Sequence, residues 1–175
     1  MDLVVAHDLK QGGDDALKAA LLLSSEEGGL SVAVVHVVTQ QDLDQTGRLA
    51  TDEKRQAAIE GLYPVLWKRV GEAIDALRLS EPEMDVFVRI APVHLVESQR
   101  RIGRELAQVA VDQGAKRIVL GRTGRPGSVS EWLLERCNVS ARPPQGTAHS
   151  LVLELDPTRL DVEATGTFRA TRGGS

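Results

Sequence analysis

The chain has 175 residues and one cysteine, with 42% hydrophobic residues, 26% charged residues and a net charge of -4. This length suffices for one domain with its own core, and a lone cysteine excludes an internal disulfide. The acidic balance argues against a nucleic-acid partner, which would need a basic face. Because no apolar stretch reaches the roughly 20 residues that span a bilayer and the N-terminus lacks a basic signal region, we expect a cytoplasmic protein without a membrane partner.

The first half of the chain alternates apolar runs with helical patterns. Residues 3–7 (LVVAH) form a short apolar run, and residues 30–38 (LSVAVVHVV) are nearly continuous β-branched apolar residues, which is typical of a strand covered on both faces. The segment 14–27 between them predicts a helix that ends at two glycines. A polar loop is predicted over 39–50.

A long helical pattern follows over 51–80. It has one apolar stripe with spacings of three and four, formed by Ile59, Leu62, Leu66, Val70, Ile74 and Leu77. Pro64 lies inside this stripe, and we expect it to kink the helix or split it in two. Residues 84–91 then alternate in polarity, which predicts an edge strand.

The second half continues the same alternation. A helix is predicted over 97–113, a strand over 116–120 and a helix over about 128–137, where Ser128 and Glu131 form a capping box. Residues 138–149 contain proline and glycine and are predicted to be a loop. A last strand is predicted over 150–155.

This order of elements predicts an α/β fold. We expect a Rossmann-like, five-stranded parallel sheet of order 3-2-1-4-5 with helices on both faces. The domain spans residues 1–155, and residues 156–175 form a flexible tail without periodicity. In such folds ligands bind at the carboxyl ends of strands, at the switch point of the strand order, where Asp8 and the turn after the fourth strand are neighbours.

The turn after the fourth strand carries glycines at positions 121, 124 and 127 and leads into a helix. Glycine lets the backbone approach an anion closely, and the first turn of a helix has free N–H groups. The same residues also suit a tight connection in which Gly121 permits close packing and Ser128 caps the helix. Asp8 has two interpretations as well, because its carboxylate can bind a ribose or cap the adjacent turn.

Three segments carry a family likeness and stand in the family's order. They are a first strand that ends in Asp8, the run 35–38 (VHVV) on the second strand, and the run 118–131. The last reads IVLGRTGR and then GSVSE, similar to I-V-M-G-S-R-G-R and G-S-V in the universal stress protein family. These matches spread over residues 3–155, so the resemblance covers the whole predicted domain.

The resemblance implies a stress-response module that binds an adenine nucleotide, ATP or AMP, and forms a homodimer, often through the last strand. Leu151, Leu153 and Leu155 alternate along that strand, so an exposed edge is expected there. The nucleotide-binding positions of the family fall on Ala6, Asp8, Val38, Gly121, Arg122, Gly124, Gly127, Ser128 and Val129. The cationic side chains Lys10, Arg122 and Arg125 are candidates to pair with phosphates.

The loop is shorter than the family pattern. Only Arg125 and Pro126 separate Gly124 from Gly127, where the family has nine residues. A short loop offers fewer backbone N–H groups, so AMP or another small anion fits its length better than a triphosphate.

The sequence contains no catalytic constellation. There is no G-x-S-x-G nucleophile elbow, and Gly127 stands where a Walker A loop has lysine. His36 is predicted to be a core histidine, while His7, Asp8 and Asp14 form a cluster that is a weak candidate for a cation. We therefore expect a non-catalytic module without a metal. The alternatives are a family member that has lost nucleotide binding and acts in protein interaction, and a nucleotide-hydrolysing enzyme.

Overall fold

A computed structural model describes residues 1–39, 43, 51–91, 98–122 and 128–160. In these ranges the chain forms, in order, β1 (Leu3–Ala6), α1 (Gln11–Glu26), β2 (Val32–Thr39), α2 (Asp52–Leu77), β3 (Met84–Ala91), α3 (Ser98–Asp112), β4 (Arg117–Gly121), α4 (Val129–Leu134), β5 (Asn138–Ala141), β6 (Ser150–Glu154) and α5 (Pro157–Leu160). The predicted α/β class is confirmed.

The strands form one sheet of order β3-β2-β1-β4-β6-β5. β1 pairs in parallel with β2 and β4, and β2 pairs in parallel with β3, so the predicted 3-2-1-4 half and the edge position of β3 are confirmed. β6 runs antiparallel to β4, and β5 runs antiparallel to β6. The prediction of five parallel strands in the order 3-2-1-4-5 is therefore wrong, because the sheet has six strands and is mixed.

The connection between β5 and β6 explains this difference. Residues 138–149 were predicted to be a loop, but Asn138–Ala141 pairs with β6, and only the eight residues 142–149 remain between the two strands. A parallel connection needs a crossover of a dozen or more residues, so the chain returns as a hairpin. The returning strand lies between β4 and β5, so β5 and not the last strand is the sheet edge. The expectation of an exposed edge at Leu151, Leu153 and Leu155 is wrong.

The sheet has a hydrophobic core on each face. One core packs α1 and α2 against strand residues such as Val5, Val34 and Val119. The other packs α3 and α4 against residues that alternate with them along the strands, such as Val4 and Ile118. The prediction of helices on both faces is thus confirmed, and the alternation of buried positions follows from the two-residue period of a strand.

α2 is continuous from Asp52 to Leu77 with Pro64 inside it, so the predicted split does not occur. Thr51 caps its start by accepting a hydrogen bond from Lys54 N. Apolar side chains on both sides of Pro64 pack on the core, and Leu66 is fully buried. This packing on either side holds the helix together although proline removes one of its hydrogen bonds.

The C-terminal part of the described chain continues beyond the sheet. α5 follows β6 directly, and Leu160 is 1% exposed in the core on the α3 face. Residues 161–175 of the predicted tail lie outside the described residues, as do 40–42 and 44–50 of the predicted loop, whereas Leu43 is buried. Among the described helices, none combines the length and the hydropathy required to cross a membrane.

Candidate functional site

A cleft of about 900 Å³ lies at the carboxyl ends of β1, β2 and β4. The chain leaves β1 towards β2 on one side and comes back to β4 on the other side, so the cleft occupies the switch point of the strand order. One wall is apolar and is formed by Val35, Val37, Ile102, Leu106 and Leu120. Polar and charged groups come largely from the turn between β1 and α1, the start of α1, the end of β4 and the start of α4.

The structure brings most of the predicted binding positions to this cleft. Those that line it are Ala6, Asp8, Gly121, Arg122, Ser128 and Val129. Val38 does not line it, because its side chain points to the opposite face of the sheet and is 6% exposed in the core beneath α1 and α2. Gly124, Gly127 and the candidate cation Arg125 lie outside the described residues.

Asp8 caps the turn between β1 and α1. Its Oδ1 accepts hydrogen bonds from Lys10 N at 2.9 Å and from Gly13 N at 3.0 Å. Its Oδ2 has no hydrogen-bond partner among the described residues. One carboxylate oxygen thus fixes the turn, while the other is available at the cleft, so the two interpretations of Asp8 are compatible.

Gly121 ends β4 where the strand packs closely against the start of α1. A Cβ at this position would lie 2.8 Å from the carbonyl oxygen of Gly12 and 3.1 Å from its Cα. No side chain fits there without moving the helix backbone. The structure therefore explains this glycine by helix–strand packing, which was one of the two sequence-based interpretations.

Ser128 begins α4 at the cleft. Its Oγ accepts a hydrogen bond from Glu131 N at 3.2 Å and lies 3.0 Å from Ser130 Oγ. The predicted cap by Ser128 is confirmed. Both serines are nearly buried and both line the cleft, so hydroxyl groups form its boundary at this end.

Charged side chains flank the opening. Lys10 and Arg122 line the cleft and are exposed, and the backbone N–H of Arg122 donates to the carbonyl of His149 at 2.6 Å. Asp8 supplies the one carboxylate among the described residues that line the cleft. The described rim therefore favours an anionic ligand that also has a hydrogen-bond donor for Asp8.

A hydrogen-bonded network lies below the cleft. The side chain of His7 is 0% exposed, and its Nε2 lies 3.2 Å from Asp14 Oδ1. Asp14 Oδ2 in turn accepts a hydrogen bond from Arg69 Nη1 of α2 at 2.7 Å. His7 and Asp14 therefore bond to each other, and no cluster suited to a metal occurs in the part of the chain that is described.

His36 lies beside this network. Its Nδ1 donates to the carbonyl oxygen of His7 at 2.7 Å, and the residue is half-buried at the cleft. The ring is hydrogen-bonded, but the prediction of a core histidine is wrong, because His36 belongs to the lining of the cleft and not to either core. Burial also lowers the pKa of His7, while Asp14 and Asp8 partly oppose this effect, so His7 is neutral at pH 7.

The apolar wall is the part of the site that sequence reasoning missed. Val35 and Val37 alternate along β2, and Ile102 and Leu106 are one turn apart on α3. Each of these patterns indicates core packing and nothing more. Only the pairing of β2 with β1 and the position of α3 across the sheet show that these core residues continue into a cleft.

Comparison with protein-family models, with curated proteins and with solved structures gives no significant match.

Proposed function

We propose that this protein is a non-catalytic, universal stress protein-like module that binds an adenine nucleotide and acts through dimerisation. The observation that carries the proposal is the cleft at the switch point, where an apolar wall meets a carboxylate and two cations. Open α/β sheets bind nucleotides at this location. Sites for small molecules also typically combine apolar walls with a few polar groups.

The chemistry of the three regions supports this ligand class. The wall of Val35, Val37 and Ile102 offers apolar surface to a purine ring. Asp8 Oδ2 can accept hydrogen bonds from ribose hydroxyls, because only Oδ1 is committed to the turn. The cations Lys10 and Arg122 can neutralise a phosphate.

The charge at the rim favours AMP over ATP. A phosphate monoester carries about -1.5 to -2 charges at pH 7, which Lys10 and Arg122 can balance. A triphosphate brings further negative charge towards Asp8, and a short loop between Gly124 and Gly127 has few N–H groups to offset it. AMP is therefore the proposed ligand and ATP the weaker one.

Dimerisation would use the β5 edge. β6 is paired on both sides, whereas β5 is paired only with β6 among the described strands. Val139 on β5 is 62% exposed, which is unusual for a valine in a strand. We expect sedimentation velocity to show a dimer, and a monomer at micromolar concentration would contradict this part of the proposal.

Calorimetric titration of the full chain with AMP and ATP tests the binding. Asp8→Asn keeps an oxygen for both turn N–H groups but removes the charge, and we expect it to weaken AMP binding about tenfold. Asp15→Asn is the matched control, because it makes the same charge change on α1 outside the cleft lining. No detectable heat at millimolar AMP would overturn the proposal.

One observation favours a second candidate, a module that has lost its ligand. Ser128 Oγ and Asp8 Oδ1 are both engaged in internal hydrogen bonds, so these two groups stabilise the fold without any ligand. Such a protein would have a Tm that does not move with nucleotide. A rise in Tm with AMP concentration would exclude it.

A further inference from the structure

The network below the cleft has a fixed direction of hydrogen bonding. Leu9 N lies 3.0 Å from His7 Nδ1, and because a backbone N–H can only donate, Nδ1 is the acceptor and carries no proton. The proton of the neutral ring is therefore on Nε2, which donates to Asp14 Oδ1 at 3.2 Å. Arg69 holds the other oxygen of Asp14 at 2.7 Å, so α1 and α2 together set the tautomer of the histidine that directly follows β1.

Leu9 is the residue that needs this support. Its φ is +61°, in the left-handed region of backbone conformation that residues other than glycine rarely adopt. The conformation turns the chain from β1 into α1 and puts Asp8 at the cleft, with Oδ1 on Lys10 N and Gly13 N. A strained residue persists only where its surroundings fix it, and the bond to His7 Nδ1 is one of those constraints.

We propose that His7 is a positioning residue for the cleft: its neutral ring fixes the Leu9 turn that carries Asp8, and protonation of Nδ1 releases this turn and weakens ligand binding in acid. A proton from solvent that adds to Nδ1 makes both ring nitrogens donors. Leu9 N–H then faces a donor in place of its acceptor, while the bond from Nε2 to Asp14 remains.

The groups around His7 determine the pH range in which its protonation releases the turn. The titratable and charged groups that face it are Asp14 on α1, Asp8 in the turn, His36 on β2 and, through Asp14, Arg69 on α2. Burial lowers the pKa of His7 below its usual value of 6.5, so the turn is intact at pH 7 and is released only in acid. The inference rests on the proposed function only for the identity of the ligand.

The first experiment uses the wild-type chain labelled with ¹⁵N. We expect ¹H–¹⁵N spectra at pH 7.5 to show the His7 proton on Nε2, and we expect the amide signals of Leu9, Lys10 and Gly13 to move together with the His7 titration. A proton on Nδ1 at pH 7.5 would overturn the inference. Amide chemical shifts of Leu9 and Gly13 that do not change as His7 titrates would overturn it as well. Unfolding of the chain while His7 is still neutral would overturn the switch as well.

The second experiment separates the two ring nitrogens. His7→Asn retains an acceptor near the Nδ1 position, whereas His7→Gln retains a donor near Nε2 and loses that acceptor. At pH 7.5 we expect His7→Asn to bind AMP within about threefold of wild type and His7→Gln about tenfold more weakly. Equal affinity of the two variants would overturn the positioning role. Failure of both to fold leaves the decision to the wild-type titration.

The pH profile gives a readout that a merely structural role would not change. AMP itself titrates near pH 6, so the affinity of each variant is divided by that of wild type at the same pH. We expect the ratio for His7→Asn to rise across the pH range in which the wild-type His7 ring titrates, and the ratio for the exposed His149→Asn control to stay constant. A constant ratio for His7→Asn would overturn the switch. A wild-type chain that binds no AMP at any pH would overturn the proposed function, while the tautomer and amide signals still decide the inference.

Discussion

Gly13 lies where the atoms of the β1–α1 turn converge. A Cβ there would be 2.7 Å from Asp8 Oδ1, 2.8 Å from Asp8 N and 2.9 Å from His7 Nδ1. All three atoms belong to the hydrogen-bonded turn and cannot swing aside. Although alanine is the better helix former by about 1 kcal/mol, we predict that Gly13→Ala lowers the free energy of unfolding by about 1–3 kcal/mol.

The matched control for this change is Gly71→Ala on α2, where nothing lies within 4 Å of an added Cβ. Here only the helix preference acts, so we expect stabilisation by about 0.5–1 kcal/mol. Urea unfolding followed by circular dichroism measures both variants. A stabilised Gly13→Ala would contradict the described packing of the turn.

Cys137 illustrates how burial changes the chemistry of a single side chain. The residue is 4% exposed, and burial raises the pKa of its thiol to about 11. Because the thiolate is the reactive species, we predict that at pH 8 a thiol reagent modifies the native chain at least about a hundredfold more slowly than the urea-unfolded chain. Similar rates in the two states would show that the core on the α3 face opens readily.

At the level of elements, the sequence predicted what local patterns can encode. The run of β-branched residues in β2 and the apolar stripe of α2 identify their own elements, because each pattern repeats with the period of its structure. β5 has only four residues, and its pairing depends on β6, so no local period marks it. The direction of β6 was missed for the same reason, since it follows from the length of a connection and not from the strand itself.

The packing of α1 against β4 can be tested by substitution of the two glycines at their contact. Gly121 and Gly12 face each other, but an added Cβ meets backbone atoms at 2.8–3.1 Å on Gly121 and only ordinary contacts at 3.9–4.0 Å on Gly12. We predict that Gly121→Ala destabilises the fold by about 1–3 kcal/mol and that Gly12→Ala costs less than about 0.5 kcal/mol. Urea midpoints measure both, and equal costs would contradict the asymmetry of this contact.

In the whole molecule, the parallel half of the sheet positions the cleft, and the antiparallel half determines which strand lies at the edge. The parallel strands β1, β2 and β4 end at the same edge, which is why Asp8 and Gly121 could be predicted as neighbours from their positions after strands. The apolar wall could not be predicted, because Val35 and Ile102 are distant in sequence and meet only through the crossovers of α2 and α3. The antiparallel β6 covers the outer side of β4 and leaves a short edge strand at that end of the sheet.

The charges of the molecule predict that acid destabilises it in two stages. Burial lowers the pKa of His7 in the folded chain, so below its usual value of 6.5 the unfolded chain binds a proton that the folded chain does not, and the free energy of unfolding falls. Hydrogen bonds from Ser31 lower the pKa of Asp2, and those from Arg117 lower the pKa of Glu27. The stability from these carboxylates is present above their unfolded pKa values and is lost as pH falls below about 4.5.

Urea midpoints measured from pH 8 to about pH 2.5 at constant ionic strength resolve the two stages, because the carboxylates lose their contribution below their unfolded pKa values. His7→Asn removes the titrating ring but not the carboxylates, so we expect it to flatten the decline that begins near pH 6.5 and to leave the second stage in place. Glu27→Gln should do the reverse, because it removes the partner of Arg117 without touching the cleft. A wild-type stability that stays constant from pH 7 to pH 5 would mean that His7 keeps its ordinary proton affinity on folding, which is incompatible with a fully buried ring whose Nδ1 accepts a backbone hydrogen bond.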